Sequence, residues 1–212
     1  MKRIGGAVCL CLASSFWGAD AELGRTLKAV EHRYNNSRSL RVEFSQTYTQ
    51  GGSRRVESGE LWLRKPGRMR WNYNNPPGKL FLSDGKFIYL YSPATNRAEK
   101  MKLKETEDLR APLAFLLGKL DFSRDFKDFR AKRDGGRWIV TGYPKSNKLP
   151  YTEVTFTVSE KKEIERLVVL GQDRSVLEFH FANEIVNPPV DESLFRFTPP
   201  KGVEVVDNSE QG

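Results

Sequence analysis

The sequence predicts a mainly β protein: a large curved antiparallel sheet with a few short helices gathered on one side. The first observation is that period-two alternation recurs in about a dozen short runs between Leu40 and Thr198. The second is the punctuation between them, namely Gly51-Gly52, Lys65-Pro66-Gly67, Asn75-Pro76-Pro77-Gly78, Asp84-Gly85 and Asp134-Gly135-Gly136. The third is that helical three-and-four spacing is confined to three stretches. With 212 residues, 38% apolar and 29% charged, the chain has the size and composition of one soluble domain.

The chain opens on Met1-Lys2-Arg3, a largely apolar run from Ile4 to Trp17, and Ala19-Asp20-Ala21. This is the pattern of a secretory signal with small residues before the cut, so residues 1–21 are expected to be removed and 22–212 to form a single domain. The alternative, an N-terminal membrane anchor, requires about 18 consecutive apolar residues, more than this run supplies. Both cysteines, Cys9 and Cys11, fall inside the leader, which leaves the exported chain without a thiol or a disulfide. They follow Val8 and Leu10 rather than a small residue, so lipidation is not expected.

Removing Lys2, Arg3 and Asp20 leaves 33 basic and 26 acidic residues, a formal charge of +7. A basic surface suits anionic membranes or acidic partners. Basic strands carrying aromatics also suit single-stranded nucleic acid, but export argues against that partner, and a solvated basic face is the plain alternative.

Residues 22–38 form the first helical stretch, with Leu23, Leu27, Val30 and Tyr34 on one stripe. From Leu40 to Thr49 the period changes to two. Ser58 to Pro93 then reads as an antiparallel meander of four strands. Here Leu61, Leu63 and Lys65 point to one side and Trp62 and Arg64 to the other, while Met69, Trp71 and Tyr73 oppose Arg68, Arg70 and Asn72. A polar strand follows at 96–103. Pro112 opens a second helical piece with Leu113, Leu116 and Leu117 on its apolar face, and Phe122, Phe126 and Phe129 at i, i+4 and i+7 mark a third, with a switch to strand near Phe129. Both pieces are short and one-sided, so they need a sheet face to bury against, as lids would. Hairpins return from Phe129 to Phe181, Pro188-Pro189 ends the last long strand, and a final strand is expected at Phe195–Thr198.

About ten twisted strands either close into a barrel or fold over something. If helices cover the concave face, its aromatic and aliphatic side chains can line a cavity. The alternative is a filled core, in which Trp71 is simply a buried tryptophan. Methionine beside aromatics, as at Met69, Trp71 and Tyr73, makes an adaptable apolar wall suited to varied acyl chains.

Catalytic patterns are sparse. His32 and His180 have no cysteine or second histidine at ligand spacing, which leaves no metal site. There is no Gly-x-Ser-x-Gly turn and no phosphate loop before a Gly-Lys pair. The carboxylate pairs Glu105/Asp108 and Glu163/Glu165 lie in charged segments. No cofactor is expected.

Four blocks, taken together and in order, resemble the LolA family of periplasmic lipoprotein carriers. They are Ser58-Gly-Glu-Leu-Trp-Leu-Arg-Lys-Pro-Gly-Arg-Met-Arg-Trp71, Leu82-Ser-Asp-Gly-Lys86, Tyr89-Leu-Tyr-Ser-Pro93 and Phe195-Arg-Phe-Thr-Pro-Pro-Lys-Gly-Val203. The resemblance spans nearly the whole exported chain. It implies an incomplete β-barrel, or half-barrel, under a helical lid, with a hydrophobic cavity for the acyl chains of lipoproteins. It further implies a soluble periplasmic monomer without enzymatic activity. Cargo would come from an inner-membrane lipoprotein-releasing transporter and pass to an outer-membrane acceptor protein or membrane. On this reading Met69, Trp71, Tyr73, Leu61 and Leu63 line the cargo site. Leu113, Leu116, Leu117, Phe122 and Phe126 are the apolar side of the lid. The family places an arginine just before the proline, where it holds the lid closed and serves transfer; here Lys65 stands there, with Arg64 one step earlier. A lysine lacks the planar fork of arginine. Two other functions are open at this stage: a lipid- or lipoprotein-sensing regulatory domain of the same fold, and an exported hydrolase.

Overall fold

A computed structural model describes residues 14–103 and 119–209, with side chains from Asp20 onward. Helix α1 spans Ser14–Asn36. It carries the expected stripe, with Leu27, Val30 and Tyr34 buried and Leu23 packed beside them. The helix runs through Ala21 without a break. It ends where the Ser37 hydroxyl donates to the Arg33 carbonyl at 2.6 Å, and strand β1 begins at Ser39.

Among the described residues twelve strands form one sheet: β1 Ser39–Gln50, β2 Ser53–Arg64, β3 Arg68–Asn75, β4 Leu80–Asp84, β5 Phe87–Ser92, β6 Arg97–Lys102, β7 Phe126–Asp134, β8 Arg137–Pro144, β9 Tyr151–Val158, β10 Ile164–Gly171, β11 Val176–Val186 and β12 Glu204–Asp207. Their order is β12-β6-β5-β4-β3-β2-β1-β11-β10-β9-β8-β7, so two hairpin meanders are joined through the pairing of β1 with β11. The ends, β12 and β7, do not pair with each other, and the sheet is an unclosed barrel. Every pairing is antiparallel except β12 with β6. Short connections dictate this, because two-residue turns reverse the chain whereas a parallel partner needs a long return.

Two element assignments differ from the sequence reading. The Phe122, Phe126, Phe129 spacing does not make a continuous helix. Helix α2 is a single turn, Phe122–Asp125, capped by the Asp121 carboxylate at the Arg124 N–H, and Phe126 already belongs to β7. Phe122 and Phe126 set their rings edge-on to Phe156 of β9, at 5.1 and 5.6 Å, and β7 pairs with β8. Packing on the sheet has overridden the helical period. Phe122 remains on a helix covering the sheet, while Phe126 is a residue of the sheet itself. Leu113, Leu116 and Leu117 lie outside the described residues. The final strand is also displaced. Glu192–Phe195 is a 3-10 turn, Phe197 stacks on Tyr89 at 4.8 Å, and the strand falls at Glu204–Asp207. Pro199 and Pro200 supply no N–H, so a ladder cannot continue through them.

The core lies between the concave face and the two helices. It joins Leu27, Val30 and Tyr34 of α1 to Val42 and Phe44 of β1, Trp71 of β3, Val140 of β8, Phe156 of β9 and Phe179 of β11, with Phe122 of α2.

Candidate functional site

Alternation in β2 and β3 divides their side chains as expected. Leu61 and Leu63 are buried on the concave side, opposite Trp71 and Met69 in register, while Trp62 and Arg70 are half-buried on the convex side. Tyr73 is level with Gly59, next to an irregularity at Ser58/Gly59. A Cβ on Gly59 would stand 1.9 Å from the Asn72 carbonyl oxygen, so only glycine permits this approach. The sheet thus brings Leu61, Leu63, Met69, Trp71 and Tyr73 together as one apolar patch. Phe44 meets Trp71 and Tyr73 edge-on at 4.7 and 5.2 Å, and Phe179 lies 5.9 Å from Trp71.

Where it is described, the patch is covered rather than open. Leu61, Leu63, Met69 and Trp71 are each at most 5% exposed and belong to the same core as α1. A void of about 10 Å³ remains between Tyr34, Leu40, Leu63 and Lys65, space for about one water and no more. Tyr73, Phe81, Leu149 and Leu177 are only partly buried against the core, and Tyr73 marks the end of the β2–β3 patch away from Lys65. At that end Glu57 accepts from Gln46 Nε2 and Lys79 Nζ, each at 2.7 Å. The Lys79 ammonium sits 4.4 Å above the Tyr73 ring. Burial, reinforced by the Glu57 charge, pushes the Tyr73 phenol well up.

Lys65 leaves β2 on the concave side. Its ammonium donates to the carbonyl oxygens of Tyr34 at 2.7 Å and Asn35 at 2.8 Å, the last turn of α1. Both carbonyls lie at the negative end of the helix dipole, which makes them favourable for a cation. Partial burial lowers the Lys65 pKa. Arg64 points the other way. It bonds the Val190 carbonyl at 3.3 Å and pairs with Glu192 at 3.2 Å, tying the C-terminal segment to the convex face. Beside both residues is an open groove of about 620 Å³, bordered by Arg38, Pro188 and Val190.

Several polar contacts that the sequence did not foretell secure α1. The Tyr34 hydroxyl donates to Glu184 at 2.7 Å and accepts from the Ile164 N–H at 2.9 Å. Arg33 donates to the other Glu184 oxygen through Nε at 2.8 Å and Nη2 at 2.6 Å. Burial, followed by the Glu184 charge, raises the Tyr34 pKa far above that of an ordinary phenol. Asn35 and Glu31 bond the backbone of Leu120 and Phe122. Among the described residues no group of side chains could hold a metal ion, and no helix is long and apolar enough to cross a membrane.

Residues 35–198 match the family model described as outer membrane lipoprotein carrier protein LolA. The outer-membrane lipoprotein carrier protein of Proteus mirabilis is 29% identical over 210 residues, covering 98% of this chain and 99% of that protein. Among solved structures, an uncharacterized conserved protein from Thermus thermophilus aligns with a TM-score of 0.55 at 12% identity, over 88% of this chain and 99% of that one. The lipoprotein LppX of Mycobacterium tuberculosis aligns with a TM-score of 0.51, also at 12% identity, over 81% and 98%. At these identities the two structures bear on fold alone.

Proposed function

Since the chain belongs to the LolA family of outer-membrane lipoprotein carriers, we propose that it is a soluble periplasmic carrier. It takes lipoproteins from an inner-membrane transporter and delivers them to an outer-membrane acceptor, performing no chemistry on them. Residues 1–21 are its export signal, and the mature chain starts at Glu22. A carrier is physically necessary for such cargo. Each buried methylene contributes about 0.8 kcal/mol, so several acyl chains do not cross water unaided.

The observation that supports this reading best is a helix packed into the core of the apolar wall and fastened at its C-terminal end by Lys65, beside the Arg33 and Tyr34 bonds to Glu184. Helix α1 shares one apolar core with Leu61, Leu63, Met69 and Trp71, and Lys65 bonds two carbonyls of its last turn. Because the wall is packed in this state, acyl chains enter only when the cover moves, the chains then replacing α1 and α2 as its apolar partner. Little net free energy is needed when one apolar contact replaces another, so the two states can lie close together. Lys65 is the transfer-linked residue, while Arg64, turned to Val190 and Glu192, holds the C-terminal segment.

The test is to load the mature protein with a purified triacylated lipoprotein and add acceptor membranes with their acceptor protein. Release to the acceptor supports the carrier. Tight retention under the same conditions refutes it and favours a sensor of the same fold.

A further inference from the structure

We infer that Asn35 and Glu31 are positioning residues that join α1 to α2, so that Lys65, whose ammonium bonds α1 and not α2, also governs the aromatic cover over the other half of the sheet. This rests on the proposed function for its purpose, though not for its test.

Asn35 is bonded on two sides. Its carbonyl accepts from Lys65 at 2.8 Å. Its side chain clasps Leu120 as a strand partner would, Nδ2 donating to the Leu120 carbonyl at 2.7 Å and Oδ1 accepting from the Leu120 N–H at 3.0 Å. One helical turn earlier, on the same face of α1, Glu31 accepts from the Phe122 N–H at 2.8 Å with one carboxylate oxygen and from Lys28 at 2.7 Å with the other. Glu31, Leu120 and Phe122 are 8%, 4% and 1% exposed, so water does not readily take over the Glu31 bond to Phe122 or reach the Leu120 backbone, although the Asn35 side chain itself borders solvent.

The consequence follows from what Phe122 touches. Its ring stands edge-on to Phe156 at 5.1 Å and near Phe126 at 6.4 Å. If α1 lifts while Leu120 and Phe122 stay, three bonds to the backbone break, the Phe122 N–H to Glu31 in a buried setting and the two at Leu120 in a partly buried one. Lifting both together keeps those bonds and withdraws Phe122 from Phe156. The two covers therefore move as one body. Release at Lys65, once the Arg33 and Tyr34 bonds to Glu184 also yield, draws Tyr34 from Leu63 on one half of the sheet and Phe122 from Phe156 on the other.

Amide hydrogen exchange reads this directly, since the Leu120 and Phe122 N–H groups are themselves the bonded donors. The measurement uses the cargo-free mature chain with Lys65→Leu, Asn35→Ala, Glu31→Ala and Glu31→Gln. In Lys65→Leu, exchange at the C-terminal half of α1 and at Leu120 and Phe122 should rise by a common factor of about tenfold or more. Amides at the centre of β1, β2 and β11 should be unchanged. Asn35→Ala and Glu31→Ala should speed exchange at Leu120 and Phe122 while Lys65 keeps the last turn of α1 protected. Glu31→Gln keeps an acceptor oxygen and should restore protection at Phe122. A Lys65→Leu protein in which α1 opens while Leu120 and Phe122 exchange at the wild-type rate overturns the coupling, as does one in which α1 does not open. A uniform rise over all strands in the alanine variants reduces both residues to general structural support. A protein that fails to transfer lipoprotein yet shows the common factor would refute the carrier and leave the coupling standing.

Discussion

Replacing Lys65 by leucine isolates the fastening of α1 from the packing beneath it. The ammonium makes two hydrogen bonds to carbonyls, at 2.7 and 2.8 Å, and a bond to a charged group contributes about 1.5–3 kcal/mol. The sum must be discounted. Lys65 is only partly buried, water can replace it at both carbonyls, and the burial that lowers its pKa is a cost that leucine removes. A net loss of about 2 kcal/mol remains for the closed state, which is a roughly 30-fold increase in the open fraction. When only the open state binds an apolar ligand, its apparent affinity scales with that fraction. Titration with an apolar fluorophore should therefore show binding about 30-fold tighter in Lys65→Leu than in wild type, until opening approaches completion. The far-ultraviolet circular dichroism should stay unchanged, since leucine tolerates a site beside Leu63 and Tyr34. Affinities equal within twofold, in a folded variant, would refute the reasoning that this contact holds the cover down.

Three further outcomes are expected. Tyr34→Phe leaves a Glu184 oxygen and the Ile164 N–H without their buried partner, so the urea midpoint should drop by the equivalent of about 2–3 kcal/mol with an unchanged slope; a loss below about 0.5 kcal/mol would mean that water enters the site. Gly59→Ala forces a methyl against the Asn72 carbonyl and should cost on the order of 3 kcal/mol, the range of severe overpacking; wild-type stability would show that β2 and β3 separate easily. Tyr151, raised to about 12 by burial and then by the Asp125 charge, keeps its proton in the folded chain where an unfolded tyrosine loses it near pH 10. Its contribution is whole below about pH 10 and is lost as pH rises through 12, so Tyr151→Phe should lessen alkaline destabilisation and remove one late-ionising phenol from the ultraviolet titration.

The apolar wall was legible because it depends only on strand alternation. Once Lys65-Pro66-Gly67 fixes the turn, the sides taken by Leu61, Leu63, Lys65, Met69 and Trp71 follow. Alternation fails at a bulge, and this is why Glu184 was missed. Counting from Phe179 and Phe181 puts Asn183 on the concave side and Glu184 on the other. Instead Asn183 adopts a φ of 54°, the register with β1 shifts between Arg41 and Glu43, and Glu184 turns in to Tyr34 and Arg33. Asn35 and Glu31 were invisible for a different reason. Each is a polar residue near the end of an amphipathic helix, and its partner is backbone some 85 to 91 residues away, which leaves no pattern in side-chain types. The Phe122–Phe126 stretch carries a true three-and-four spacing, but β8 offers Phe126 a ladder and β9 offers it Phe156, and these outweigh the local period.

The same alternation decides which of two adjacent basic residues can act on α1. The relatives implied by the sequence resemblance have arginine before the proline, and here an arginine lies only one position away. Distance along the chain is nevertheless the wrong measure, since a single step in a strand reverses the side chain. For Arg64 to reach the Tyr34 carbonyl, β2 would have to slip by one residue against both β1 and β3. That slip would turn Leu61 and Leu63 out to the convex face and bring Trp62 in, and Arg64 would give up Val190 and Glu192. What α1 presents to Lys65 is a pair of successive carbonyls at the negative end of a helix. Such a site asks for positive charge and at least two donors, and an ammonium has three. The planar fork of arginine is suited to a carboxylate and is not required by two carbonyls that already face one point. The substitution therefore keeps the physical requirement of the position. This places the expected transfer defect in Lys65→Leu, whereas Arg64→Leu should loosen the C-terminal segment and leave the cover of the apolar wall in place.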